Sequence, residues 1–306
     1  MAHSAFPALA EGVYAALATP RRKDSIEPDT AALLDYLDVV VRAGVDGLAL
    51  FGATGEFVHF DVTERIHTLG LAIRRSRVPV LVNVSHSTLD GALILAEGAI
   101  DSGAAGLLVM PPYFYQYSDG EVFHFYVQFA EFIERRVPIY LSNALAFTNP
   151  ISGALAERLL GTGLFAGIKD ASGDYELFQK LNEFRRKQEF RLLSGNERIY
   201  ARSRESGACG IVSGVAAALP ELIVAMDKAL REKRQDRVQA LDEELQRFLD
   251  WISRFPATIG IKQAAVLRGW SQDHFAVPLD EADLADLDRF RAWFRDWLPA
   301  VLKVCS

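Results

Sequence analysis

A lysine closes the apolar run "FAGIK" (165–169) in this 306-residue chain. Lysine is almost never fully buried without a partner, so a buried strand ending on Lys169 asks for a chemical reason. Burial disfavours the ammonium and lowers its pKa. A neutral amine attacks a ketone and forms an imine, which is an electron sink for carbon–carbon chemistry. The bland alternative is an ion pair with Asp170. Successive strand residues point to opposite faces, which places Asp170 poorly for that. A second feature is the turn "GATGE" (52–56). Its backbone N–H groups suit an anion, with the Thr54 hydroxyl as an added donor. A carboxylate cradle and an imine-forming lysine at one mouth are together what a 2-oxo acid needs. Read alone, the turn is equally a tight connection.

Positioning these groups requires a frame. Eight apolar runs recur along the chain: 12–19, 47–52, 78–84, 106–110, 137–142, 165–169, 190–195 and 209–214. Their continuous Val/Ile/Leu/Ala character suits strands buried on both faces of a parallel sheet. Amphipathic segments lie between them. The segment at 61–76 opens with an Asp/Thr/Glu cluster resembling a capping box and closes on arginines, as the helix dipole favours. Eight such units predict an α/β fold, an eight-stranded parallel TIM barrel whose chemistry sits at the strand C-termini. A doubly wound sheet is the rival. It calls for a phosphate loop after the first strand, where this chain reads "TPRRKD" without glycine. After about residue 232 three helical patterns replace the strands. The expected division is a barrel carrying the active site over 1–231 and a helical region packed on it over 232–306. Lys262, on one of those helices, reads as solvated or snorkelling.

Other chemistries find less support. The six histidines form no HxH or HExxH pattern and the two cysteines no zinc spacing, so no metal and no cofactor are expected. His86, after the third strand, reads as an exposed loop residue. Net charge is −7, from 33 basic and 40 acidic residues, without a basic stripe; a nucleic-acid partner is not expected. No run approaches 18 apolar residues and the start shows no basic n-region, so neither a membrane span nor a signal peptide is expected. Together with unpaired cysteines this gives a cytoplasmic expectation.

The ordered set "GATGE", "PPYFYQY", "GIKDASG", "LLSGNE" and "GIVSGVA" resembles the dihydrodipicolinate synthase / N-acetylneuraminate lyase family over nearly the whole chain. The resemblance implies an imine between Lys169 and pyruvate or another 2-oxo acid. It implies a carboxylate cradle at Ala53 and Thr54 and a backbone contact at Val212. It also implies a homo-oligomer, tetramer or dimer.

Several positions depart from that pattern. The family's "YN" pair at the end of the fifth strand reads Ser142–Asn143 here, and a serine hydroxyl is a far weaker acid than a phenol. Tyr140 lies on the same strand face but about 6.5–7 Å deeper, and is a second candidate for proton handling. The glycine turn begins with Ala53 in place of a hydroxyl residue. Where the synthases place a tyrosine from the neighbouring subunit, Phe114 stands, flanked by Tyr113 and Tyr115; Tyr113 is a further proton-handling candidate. No charged residue occurs between Ile139 and Ala156, so the arginine that holds a second carboxylate is missing. Ala146 and Phe147 occupy that region, and the mouth reads as apolar.

The expected function is therefore a class I lyase, aldolase or dehydratase, acting on pyruvate or a 2-oxo-3-deoxy sugar acid, and not a true dihydrodipicolinate synthase. Lys169 and Ser142 are its catalytic candidates. The alternative is a 2-oxo acid binder that has lost its proton relay. A third reading, a phosphate site at "SGNE" and "VSGVA", has only Arg198 as a nearby cation.

Overall fold

The structure is a computed structural model, and it describes residues 11–306 except 24, 26 and 257. The opening stretch 1–10 lies outside the described residues. Eight strands, β1 (Gly12–Ala16), β2 (Gly47–Leu50), β3 (Val80–Asn83), β4 (Gly106–Val109), β5 (Ile139–Asn143), β6 (Gly167–Asp170), β7 (Arg191–Ser194) and β8 (Gly210–Ser213), pair in parallel. They close in sequence order into one barrel, β8 returning to β1. Each strand falls on one of the eight apolar runs, with β5 and β6 reaching one residue past theirs, to Asn143 and Asp170. The strands are shorter than several of those runs because apolar residues past the ladder still pack on the rim: Leu17 and Ala18 are buried though β1 ends at Ala16.

Helices between the strands cover the outside. They are α1 (Thr30–Arg42), α2 (Val62–Arg75), α3 (Leu89–Asp101), α4 (Asp119–Ile133), α5 (Gly153–Gly161), α6 (Tyr175–Phe184) and α7 (Tyr200–Glu205). The eighth unit is split into a short α8 (Val215–Ala218) and α9 (Pro220–Arg231). The capping box of α2 forms in full: Asp61 accepts from the Glu64 amide at 2.7 Å and Glu64 accepts from the Asp61 amide at 2.8 Å. A cap of this kind is worth about 1 kcal/mol. Ser118 and Glu121 repeat the arrangement at the start of α4.

The barrel interior is a packed layer of Tyr14, Leu81, Leu108, Tyr140, Leu193 and Val212 with smaller neighbours. Gly47 makes room there: a Cβ on it would lie 2.1 Å from the Tyr14 ring. The tail forms α10 (Gln235–Ile252), α11 (Ile259–Leu267) and α12 (Glu281–Cys305). It is held by an aromatic cluster in which Trp297 stacks on Phe248 at 5.8 Å and on Trp293 at 4.7 Å. Among the described residues no helix is long and apolar enough to cross a membrane.

One expectation is overturned here. Lys262 is on α11, but it is neither solvated nor snorkelling: it is 1% exposed and donates to Glu56 Oε2 at 2.7 Å. α11 packs on α8 at the barrel mouth and carries Lys262 inward to the glycine turn. Burial lowers the lysine pKa, and the Glu56 carboxylate works against that shift.

Candidate active site

The register of β5 against β6 sets the centre of the site. Ser142 pairs with Lys169, and Asn143 pairs with Asp170. Paired residues of neighbouring strands share a face, and the next pair takes the other. So Ser142 and Lys169 both line the cavity at the barrel mouth, while Asn143 and Asp170 bond to each other on the far side. Asn143 Nδ2 donates to Asp170 Oδ1 at 2.8 Å, and Ser172 Oγ donates to Oδ2 at 2.8 Å. These bonds hold the buried Asp170 away from the lysine. Asp170 therefore fixes the strand end without closing an ion pair on Lys169.

The cavity measures about 250 Å³. Ala53, Thr54, Ser142, Lys169 and Val212 all line it. Its charged side chains are Lys169 and Glu197. Burial lowers the Lys169 pKa, with the Glu197 carboxylate and then Asp170 opposing. Among the described residues Lys169 Nζ makes no ion pair or hydrogen bond. Gly195 gives the side chain its space: a Cβ there would stand 2.2 Å from Lys169 Cε and 2.9 Å from Nζ. A substituent at that distance forces the lysine to move.

The glycine turn is clamped from several sides. Thr19 Oγ1 donates to the Gly55 carbonyl at 2.8 Å, and Asn83 Nδ2 donates to the Phe51 carbonyl at 2.7 Å. Asn83 is fixed in turn by Ser85 Oγ at 2.7 Å. The buried Arg65 donates to the carbonyls of Asn83 at 2.7 Å and Ser85 at 3.1 Å. Desolvation pushes the Arg65 pKa down to about 10. Among the described residues the amides of Ala53 and Thr54 donate to no protein acceptor. Both residues line the cavity. Close to Thr54, Glu197 accepts from Ser213 Oγ at 2.7 Å and from the Val215 amide at 3.0 Å; a Cβ on Gly214 would lie 2.9 Å from Thr54 Oγ1 and 3.9 Å from Glu197 Oε1. Glu197 ties β7 to the start of α8.

The remaining sequence candidates lie apart from this cavity. Tyr140 is buried one layer lower, beside Gly167 in the β5–β6 register and among Tyr14 and Leu108. Burial raises its phenol pKa strongly, with Tyr14 adding to the effect. Tyr113 lines an adjacent recess and meets Phe57 edge-on at 5.7 Å. Phe114 is 87% exposed, in a left-handed conformation, against Tyr115. His86 lies beside Thr88, the N-cap of α3, with its Nδ1 2.9 Å from Thr88 Oγ1 and accepting from the Thr88 amide at 3.1 Å. Among the described residues no three His, Cys, Asp or Glu side chains converge. Sequence reasoning gave no role in the site to Glu197, Gly195 or Glu56. Gly195 and Glu197 lie in "LLSGNE", one residue and three residues past the end of β7, and Glu56 closes "GATGE".

The sequence profile of the dihydrodipicolinate synthetase family matches residues 9–295. The chain belongs to this family. Among curated members, 4-hydroxy-tetrahydrodipicolinate synthase of Methanoculleus marisnigri is 29% identical over 286 residues, 92% of this chain and 97% of that protein. The synthase of the same name from Salinibacter ruber is 31% identical over 292 residues, 90% of this chain and 91% of that protein. Among solved structures, the family's prophage protein YagE of E. coli K12, in complex with pyruvate, superposes with a TM-score of 0.87 at 25% identity. That match covers 97% of this chain and 100% of YagE. The barrel with its helical tail is thus the family's architecture.

Proposed function

We propose that this chain is a class I lyase in which Lys169 forms an imine with pyruvate or a 2-oxo-3-deoxy sugar acid. The observation that carries the reading is the unpaired Lys169 amine in a cavity that also presents the free amides of Ala53 and Thr54. The substrate carboxylate is held by these amides and the Thr54 hydroxyl, and Val212 supplies a backbone contact. The neutral amine adds to the keto carbon. Loss of water gives the imine, and removal of a C3 proton, or cleavage of the C3–C4 bond, leaves an enamine. Ser142, beside Lys169 in the register, orients the water that carries these protons. Tyr140 and Tyr113 are more remote candidates for that role. That YagE is solved with pyruvate supports the choice of 2-oxo acid. Homo-oligomeric assembly belongs to the proposal, and the exposed Phe114 and Tyr115 are surfaces it would cover.

A true dihydrodipicolinate synthase is not what the site suits. The cavity lining contains no arginine, so a second carboxylate has no cation to meet. Borohydride reduction with pyruvate tests the imine. A mass increase on Lys169 is expected; no adduct with any of several 2-oxo acids would overturn it.

One observation favours a second reading, a binder without turnover: the hydroxyls lining the cavity are those of Thr54 and Ser142, and no phenol is among them. Such a protein gains thermal stability with pyruvate yet shows no turnover. Turnover that Lys169→Ala abolishes excludes it.

A further inference from the structure

A second cavity of about 330 Å³ opens beside the Lys169 pocket, and the two share Ala53 and Phe147. Phe57, Tyr113, Ile259 and Phe275 form its walls, and Val58 and Val277 its rim. The rim valines are 59% and 61% exposed. Its charged or titratable groups besides Tyr113 are Glu56 and His59. Glu56 is already engaged by Lys262 at 2.7 Å. Burial lowers the His59 pKa, which favours the neutral ring.

We propose that this recess is the subsite for the second substrate, and that it takes an aldehyde with a flat apolar tail such as an aromatic ring. The proposal rests on the imine reading above. An anionic tail finds no free cation in the recess and meets the Glu56 carboxylate. A polyhydroxylated tail loses water and finds few partners, which is costly. An apolar tail gains by leaving water. A cavity of about 150 Å³ holds benzene, so this one holds a ring with substituents, at the small end of ordinary ligand sites. The shared wall at Ala53 and Phe147 brings such an aldehyde's carbonyl to the mouth of the Lys169 pocket.

The step balances without a further reactant. The pyruvate enamine carbon, which has given one C3 proton to solvent, attacks the aldehyde carbon. A carbon–carbon bond forms and the aldehyde oxygen takes up one proton. Water then hydrolyses the imine and releases a 4-hydroxy-2-oxo acid with the free lysine.

The test measures pyruvate consumption with benzaldehyde, glyceraldehyde and succinic semialdehyde, with borohydride trapping on pyruvate alone in parallel. Benzaldehyde is expected to have the highest kcat/KM, by roughly tenfold or more, the scale on which apolar pockets discriminate. Val277→Glu and Val58→Glu, both at the exposed rim, should remove that preference. Preference for either polar aldehyde, with trapping intact, overturns the proposal and leaves the imine reading standing. An unchanged preference in both rim variants overturns it too. If the variants instead change the sedimentation coefficient without touching the preference, the recess is a contact between copies of the chain and the proposal fails. Absence of trapping with pyruvate overturns the proposal; absence with every 2-oxo acid tried overturns the imine reading as well.

Discussion

Lys262 Nζ donates to Glu56 Oε2 at 2.7 Å, joining α11 to the turn that presents Ala53 and Thr54. The two residues are 206 apart in sequence, and their side chains are 1% and 10% exposed. A pair this buried is costly to break from one side, since the remaining charge is left without a partner. Lys262→Met is expected to destabilise the fold by about 3–5 kcal/mol. The double variant Lys262→Met/Glu56→Leu should recover much of that loss. Urea unfolding of the two variants checks this; equal losses in both would show that the packing, and not the stranded carboxylate, sets the cost.

The Lys169 amine should titrate below an ordinary lysine. Burial lowers its pKa and Glu197 works against the shift. Imine formation needs the neutral amine, so its rate rises with pH through this lowered pKa. Glu197→Gln removes the opposing charge while an amide oxygen can still accept from Ser213 and Val215. The rising limb of trapping rate against pH is therefore expected to move to lower pH in this variant. A move to higher pH would contradict the assignment.

The stability consequence of Lys169 has the same origin and a definite sign. Its folded pKa is below its unfolded value, so between the two values the unfolded chain binds more protons. Stability then rises with pH across that window. Below the folded pKa the cost of burying the ammonium is fully present. Lys169→Met removes this slope, which urea midpoints taken on the alkaline side would show as a flatter profile.

Gly195→Ala is expected to slow trapping on the order of 10²-fold while leaving the barrel folded. The new Cβ would stand 2.2 Å from Lys169 Cε, and the lysine end must move. A displacement of about 1 Å costs on the order of 10²-fold in rate. Trapping kinetics, with circular dichroism as the fold check, measure this; a near wild-type rate would show that Lys169 reaches substrate by another rotamer.

Ser142→Ala tests proton handling at the position opposite Lys169. Loss of a positioned proton carrier costs at least about 10²-fold in turnover. Trapping with pyruvate should fall less than turnover does. If turnover is unchanged, the proton path runs through solvent without this hydroxyl.

Much of this was legible in sequence, and the reason differs from residue to residue. Lys169 stood out because an apolar strand fixes which way its last residues face. The same alternation set Asp170 apart from it, as the Asn143 and Ser172 bonds now show. The glycine turn was legible as a turn at a strand end because its glycines mark it locally, and the structure brings Ala53 and Thr54 into the cavity with Lys169. Lys262 was not legible. Nothing in "GIKQAA" says that its helix docks on α8 with the lysine inward, since burial there depends on a partner far along the chain. Gly195 and Glu197 were visible as a motif without roles. Their meaning comes from the distance between the end of β7 and the Lys169 side chain, which local pattern does not contain.

The sequence by itself determined the eight-fold alternation of buried strands and amphipathic helices, the lysine on β6 and the absence of charge after β5. Each follows from local periodicity and residue type. Only the tertiary structure decided that the Glu197 carboxylate shares the lysine's cavity, that Lys262 turns inward to Glu56, and that an apolar recess adjoins the site. Those are consequences of barrel closure and tail docking, which bring together groups that no local pattern relates.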